Sequence, residues 1–535
     1  MDFLERGIVM AEHFTWFDYV VLILYFGTMA ALGPLFASKG KTTEGYLLGD
    51  RSFPGWLVGF SMFATSISSV AFLGYPGDSF KTAWYRMVPN YMMPVAVLIA
   101  TFFFLPFFRR ARVTSAYEYL ETRFGPITRM YAAIAFIIMQ VVRVSLILYL
   151  VSVLLATITG LDPLYAILAG GIITSFYTVL GGIRAVIWTD FIQAIVLWGG
   201  AFICLGVIII QLPGGLGQIL EVGSANNKFG IYDFLTPGDE TMSPVPFWGG
   251  VDEKVIWLLL IVGLGNWMME YNANQNVVQR YAASKSMKQA RIAMWVCTCF
   301  SIPTWAMFMF LGTAFFVYFQ HFPDPAAEAM LDGRDKSEGI LPLFVTKQLP
   351  MGLTGLVIAG VLSAAMSSLS SSISAVSAVS LVDVYRRHIA KDKTDRHYVL
   401  FAKGVGILMA VIMIAGAIVL YRYESKTLLD VATVLTALTS GGLLGLYMLG
   451  FFTKVGNDRS IIVAILFTAG YTLYMTFVGM GVIPESLRIN HNYYTGLFGH
   501  LLMFVLGYIV GTLWTGKRKD LHNLTVWTQD DVPIE

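Results

Sequence analysis

Apolar residues run through this chain in long blocks separated by short polar segments. Thirteen blocks fall at 15–36, 54–80, 83–108, 127–158, 162–180, 185–212, 254–280, 290–320, 341–384, 397–421, 427–452, 459–482 and 493–515. An α-helix needs roughly 20 apolar residues to cross a hydrocarbon core about 30 Å thick, so the blocks read as transmembrane helices, not barrel strands. The expected fold class is an all-α integral membrane protein.

Two blocks are interrupted. In the second, Phe63-Ala64-Thr65-Ser66-Ile67-Ser68-Ser69 places four hydroxyls mid-span, followed by Gly74-Tyr75-Pro76-Gly77. Five blocks later, Gly263-Leu264-Gly265-Asn266 precedes Asn272-Ala273-Asn274-Gln275-Asn276. Interruptions at matching places in two five-helix halves point to an inverted-repeat transporter, whose broken helices free backbone carbonyls at the bilayer midplane. Kinked helices without a ligand are the plain alternative.

The ninth block carries nine serines between Ser363 and Ser380, with no charge from Gln348 to Val382. At helical spacing Ala364, Ser367, Ser368 and Ser371 share a face. Hydroxyls in lipid need partners, so this face meets protein, water or a small hard cation. Close packing of small residues would give the same pattern.

Composition agrees with a membrane protein: 56% of residues are hydrophobic and 13% charged, against roughly 25% charged in soluble domains. Basic residues cluster at Arg109, Arg110, Arg112, Arg123 and Arg129, at Arg280, Lys285, Lys288 and Arg291, at Arg386, Arg387, Lys391, Lys393 and Arg396, and at Lys517-Arg518-Lys519. With the N-terminus outside and the C-terminus cytoplasmic, about two dozen Lys/Arg lie inside and about ten outside. The expected location is the plasma membrane, as in a bacterial inner membrane, with the lipid bilayer and a small solute as partners. No basic patch suggests nucleic acid, and no obligate protein partner is evident. The start, Met1 to Phe14, is acidic and reads as no cleavable signal. Cys204, Cys297 and Cys299 all fall in apolar blocks and read as packing residues.

Within the membrane, Asp190 and Arg143 are functional candidates by default, because an ionised group there is costly without a partner. Asp190 could instead sit at the interface near its helix start. Arg143 could meet a substrate anion or pair internally with Glu270.

These segments together resemble the sodium/solute symporter family. The likeness rests on Arg51-Ser52-Phe53-Pro54-Gly55-Trp56, the Phe63–Ser69 interruption, Thr114-Ser115-Ala116-Tyr117-Glu118-Tyr119-Leu120-Glu121, Gly181-Gly182-Ile183-Arg184 with Trp188-Thr189-Asp190, Gln275 to Arg280, and Ala364 with Ser367-Ser368. Within the family the chain most resembles the sodium–sialic acid symporters and is more distantly similar to the sodium–galactose transporter.

The resemblance implies a LeuT-type five-plus-five inverted repeat (54–212 and 254–452), with one extra helix before it (15–36), two after it (459–515) and a cytoplasmic tail at 516–535. It implies a first Na⁺ site from carbonyls of Ala64, Ile67 and Ala364 with the hydroxyls of Ser367 and Ser368. A second would use Asp190, Ser370 and Ser371, with Ser367 contributing. The implied substrate residues are Ser66, Ser68, Ala71, Asn90, Arg143 and Glu270, with Arg143 on a carboxylate. Ala71 lacks the hydroxyl of the sialic acid members, Asn90 replaces a glutamine, and Glu270 adds a charge where they carry a neutral amide. The expectation is Na⁺ symport of a small carboxylate-bearing solute, sialic acid or a related acidic sugar. The alternative is a neutral sugar, monocarboxylate or amino acid, with Arg143 paired to Glu270.

An enzyme is not expected, since no metal motif, nucleophile elbow or P-loop occurs. A transporter-like sensor is a remote alternative, because only about twenty residues follow the last block.

Overall fold

A computed structural model of the chain describes residues 15–37, 41–110, 113–235, 241–423, 441–514 and 520–528. The acidic start, Arg112, the 427–440 part of one expected span, the basic run Lys517 to Lys519 and the tail beyond 528 lie outside the described residues.

The long helices are α1 (Trp16–Ala37), the pair α2 (Gly55–Ser66) and α3 (Ser69–Lys81), α4 (Trp84–Arg109), α5 (Pro126–Thr159) and α6 (Pro163–Gln211). There follow the pair α7 (Ile256–Asn272) and α8 (Gln275–Ala282), then α9 (Met287–His321), α10 (Leu353–Ile389), α11 (Asp395–Tyr423), α12 (Leu443–Phe452), α13 (Asp458–Gly479) and α14 (Thr495–Leu513). Among the described residues nine helices are long and apolar enough to cross a membrane, or ten when α2 and α3 count as one broken span. A two-stranded antiparallel sheet, Tyr232–Asp233 with Ser243–Pro244, lies in the loop before α7.

Both expected breaks are present, with different causes. α2 ends where Ile67 turns extended (φ −95°, ψ 100°), and Ser68 then caps α3, its hydroxyl accepting the Ala71 amide at 3.4 Å. Serine favours this position because its oxygen satisfies an amide that the new helix leaves free. The halves meet at 58°. The second break falls at Ala273, where Asn274 caps α8 through the Asn276 amide at 3.0 Å. Gly263 and Gly265, expected as part of that break, stay helical. A Cβ on Gly263 would lie 2.0 Å from the Pro89 carbonyl, so this glycine admits the start of α4 and does not unwind α7.

Two other boundaries differ from expectation. The blocks 162–180 and 185–212 form one element of 49 residues, interrupted at Gly182 (φ 59°, ψ −153°), a conformation side chains resist. At 1.5 Å per residue an unbroken helix of that length would be about twice too long for one span. The block 341–384 divides into Ile340–Gln348 and α10, because Pro350 and a left-handed Gly352 (φ 83°) stop the chain between them.

α10 is the centre of the molecule. Every residue from Val357 to Val379 is buried, and the helix packs against α6, α5, α1, α11, α2 and α8. A helix that is small or apolar all round belongs inside a bundle. On the periphery, the described part of the C-terminal segment docks on α12: the Val526 amide donates to the Phe451 carbonyl at 3.0 Å and the Trp527 indole to Phe452 at 2.8 Å.

Candidate ion and substrate sites

The last turn of α2 leaves carbonyls without intrahelical partners, as every helix end does. One of them, Ala64 O, accepts the Ser367 hydroxyl of α10 at 3.0 Å. Ser367 Oγ also lies 3.1 Å from Ala364 O, and Ser368 Oγ donates to that same carbonyl at 3.2 Å. The structure thus joins Ala64, Ala364, Ser367 and Ser368 in one buried, neutral cluster. Ile67, fully buried, caps α2 beside it through its amide to Phe63 O at 3.1 Å. Hydroxyls rotate, so each can turn its lone pairs from a carbonyl partner toward a cation. Such an all-oxygen set suits a hard cation.

One turn further along α10 the character changes. Ser371 Oγ donates to Ser367 O at 2.5 Å, touches Thr65 Oγ1 at 2.9 Å and accepts from Arg280 Nη2 at 2.6 Å. Arg280 Nη2 lies 2.9 Å from Asp190 Oδ2, Arg280 Nε donates to Ser61 Oγ at 2.8 Å, and Ser61 Oγ donates to Asp190 Oδ2 at 2.5 Å. Asp190 and Arg280 are both 0% exposed. This corrects one expectation: Arg280 is not a loop charge, since α8 carries it into the bundle. Asp190 is half of a buried ion pair, which excludes the interfacial alternative. Its Oδ1 has no hydrogen-bond partner. Ser370, expected beside it, donates to Ser367 O at 3.1 Å. A buried carboxylate oxygen with spare valence, next to hydroxyls and carbonyls, fits a cation by its chemistry.

Sequence reasoning missed Arg280, Ser61 and Thr65. A signal existed: a buried acid requires a counter-charge, and Arg280 lies in a quoted motif beyond a helix break.

The expected substrate residues are distributed over several helices. Ser66, Ser68 and Ala71 flank the first break and are half-buried, with Ser66 Oγ donating to Met62 O at 3.0 Å. Asn90 is buried and donates to the Tyr75 hydroxyl at 2.8 Å. Glu270, half-buried near the second break, accepts from Asn274 Nδ2 at 2.9 Å. Arg143 is half-buried at mid-α5 and makes no hydrogen bond or ion pair with any described residue. The Arg143–Glu270 pair expected under the alternative reading is therefore not formed. Nor does a polar contact among the described residues link Arg143 to Ser66, Ser68 or Asn90.

Residues 46–467 match the model of the sodium:solute symporter family. The sodium/sialic acid symporter SiaT of Proteus mirabilis is 32% identical, over 95% of this chain and 97% of its own. The sodium/sialic acid symporter NanT of Aliivibrio fischeri is 28% identical, over 94% of each. A solved Na⁺-coupled sialic acid symporter, substrate-bound, outward-open and described as revealing a novel Na⁺ site, superposes with a TM-score of 0.82 at 29% identity, covering 94% of this chain and 99% of that one.

The chain belongs to the sodium:solute symporter family. As a member it is a multi-pass secondary transporter and not an enzyme, it has the five-plus-five inverted-repeat fold, and Na⁺ is its coupling ion.

Proposed function

We propose that this symporter imports a sialic acid, or a related acidic sugar, across a bacterial inner membrane, with its N-terminus outside and its C-terminus in the cytoplasm. The observation that carries the substrate class is Arg143. A guanidinium at mid-membrane is expensive without an anion, and no described protein group supplies one. Arginine presents two parallel N–H donors to a carboxylate and stays charged when buried. The two curated relatives both bear the name of sialic acid symporters, which supports the same class. Ser66, Ser68 and Asn90 would supply neutral hydrogen bonds, Ala71 a smaller wall, and Glu270 a charge favouring a substrate with a donor on that side.

On this reading Na⁺ bridges the α2 end and α10 through Ala64, Ile67, Ala364, Ser367 and Ser368, and a second Na⁺ takes Asp190, Ser370 and Ser371 with Ser367. The halves 54–212 and 254–452 move against each other around these sites. Energetics favour two ions. At about 100 mV one charge gains roughly 2.3 kcal/mol, and a tenfold Na⁺ gradient adds roughly 1.4. One Na⁺ with a monoanion is electroneutral and drives only about tenfold accumulation, whereas two give roughly 5 kcal/mol, more than a thousandfold. The test is N-acetylneuraminic acid uptake into proteoliposomes with and without a Na⁺ gradient, with current recorded. Uptake should require Na⁺ and carry positive charge inward. Na⁺-driven uptake of a neutral sugar only would overturn the substrate class, and a measured stoichiometry of one would sink the Asp190 site.

A further inference from the structure

A cleft of about 450 Å³ opens between α4 and the first four turns of α9, lined by Phe102, Lys288, Arg291, Trp295, Cys299 and Phe300 among others. One wall includes the π-helical turn Ala100–Phe104, and Phe102 there is 61% exposed. Apart from Lys288 and Arg291 the lining is almost wholly apolar or aromatic. Lys288 is exposed and Arg291 half-buried, and neither has a carboxylate partner among the described residues. The Arg291 guanidinium lies over the Phe102 ring at 5.7 Å, and its Nε is buried with no acceptor. A buried guanidinium N–H without an acceptor calls for an anionic oxygen. Both basic residues sit within the first two turns of a membrane-spanning helix, with exposed Lys285 just before it, so they mark the level of the lipid headgroups. From Lys288 to Phe300 the helix rises about 18 Å, the reach of a headgroup and the upper part of an acyl chain.

We propose that this cleft binds an anionic phospholipid, its phosphate held between Lys288 and Arg291 and one acyl chain lying along Phe102, Trp295 and Phe300. Charge and position select this occupant. A soluble phosphate would leave the apolar length of the cleft unused, and a zwitterionic lipid offsets its phosphate with its own ammonium, so its net charge compensates neither cation.

Cys299 makes the site measurable. It is exposed inside the cleft, while Cys204 and Cys297 are buried. The full chain is placed in nanodiscs of phosphatidylcholine alone or mixed with phosphatidylglycerol, and N-ethylmaleimide alkylation of Cys299 is followed by mass spectrometry. Phosphatidylglycerol should slow alkylation severalfold, and glycerol 3-phosphate in solution should not. The Lys288→Gln/Arg291→Gln variant should lose this protection, while Lys391→Gln/Lys393→Gln, on a different basic loop, should keep it. Native mass spectrometry of the wild type should show retained phosphatidylglycerol favoured over phosphatidylcholine by roughly thirtyfold, as two surface cations would give. Equal alkylation in both lipids, equal protection in the Lys288/Arg291 variant, or equal loss in the control pair would each overturn the site. The two wild-type measurements decide the matter even if the variant does not fold.

Discussion

Arg280 and Arg143 both lie on helices of the bundle, and their surroundings are opposite. Arg280 donates to Asp190, Ser61, Ser371 and the Asn276 carbonyl, all within 2.9 Å, and is fully buried. Arg143 touches no acceptor among the described residues and is only half-buried. A charge whose hydrogen bonds are satisfied internally is part of the scaffold, and its removal strands its partner. A charge held without acceptors in a membrane helix is a reserved valence. The comparison places the first arginine in the frame around Asp190, and the proposal gives the second to the solute.

The sharpest way to break this comparison is to remove each cation in turn. Arg280→Met should leave Asp190 buried and unpaired, destabilising the protein by about 3–5 kcal/mol in thermal or denaturant unfolding. Adding Asp190→Asn should recover most of that loss, because neither member then carries a buried charge. Full stability in Arg280→Met alone would show that the pair is not what holds α8 against α6 and α10.

Arg143 should behave the other way. Arg143→Lys keeps a charge but loses the planar fork, so stability should change by less than about 0.5 kcal/mol. The KM for an acidic substrate should rise by about 10- to 100-fold, as loss of a charged hydrogen bond worth about 1.5–3 kcal/mol requires. Unchanged uptake with reduced stability would reverse the roles assigned to the two residues.

The asymmetry also explains what the sequence could tell. Arg143 was legible because apolar neighbours surround it on both sides along the chain. Arg280 sits among Lys285, Lys288 and Arg291, so its local composition reads as a loop, and only the Ala273–Asn274 break turns it inward. The hydroxyl run at Ser66–Ser69 announced the first break, since those side chains compete for backbone amides. Gly263 and Gly265 misled for a physical reason: glycine serves close helix contact as readily as unwinding, and only the neighbouring Pro89 carbonyl decides which. The Ser367 contact to Ala64 spans 303 residues, so periodicity could nominate both faces without showing that they meet. Cys299, expected as packing, is exposed in the cleft between α4 and α9.

A smaller effect tests the ion side of the comparison. Ser367→Ala removes the hydroxyl that links α10 to Ala64 O, and Ser368→Ala removes one of the oxygens beside it. Each is a neutral hydrogen bond worth about 0.5–1.5 kcal/mol to folding, so both variants should remain folded. Na⁺-driven uptake should nevertheless be lost in both, because a site without formal charge has few oxygens to spare. Normal Na⁺ dependence in both, measured over a Na⁺ titration in proteoliposomes, would leave the serine face as packing alone.

The smallest expected change comes from Glu270→Gln, and it discriminates most finely. Among the described residues Glu270 accepts only from Asn274 Nδ2, through Oε2, and a glutamine oxygen can accept the same hydrogen bond. No described cation depends on this carboxylate, so no buried charge is stranded and the stability change should stay within about 1 kcal/mol. If Arg143 is reserved for a substrate anion, removing the Glu270 charge should leave acidic-substrate KM unchanged or lower it. Were Arg143 to pair with Glu270 in another conformation of the transport cycle, Glu270→Gln would cost about 3–5 kcal/mol, and Arg143→Met/Glu270→Gln would restore folding. That result would return Arg143 to the scaffold beside Arg280 and make the transported solute uncharged.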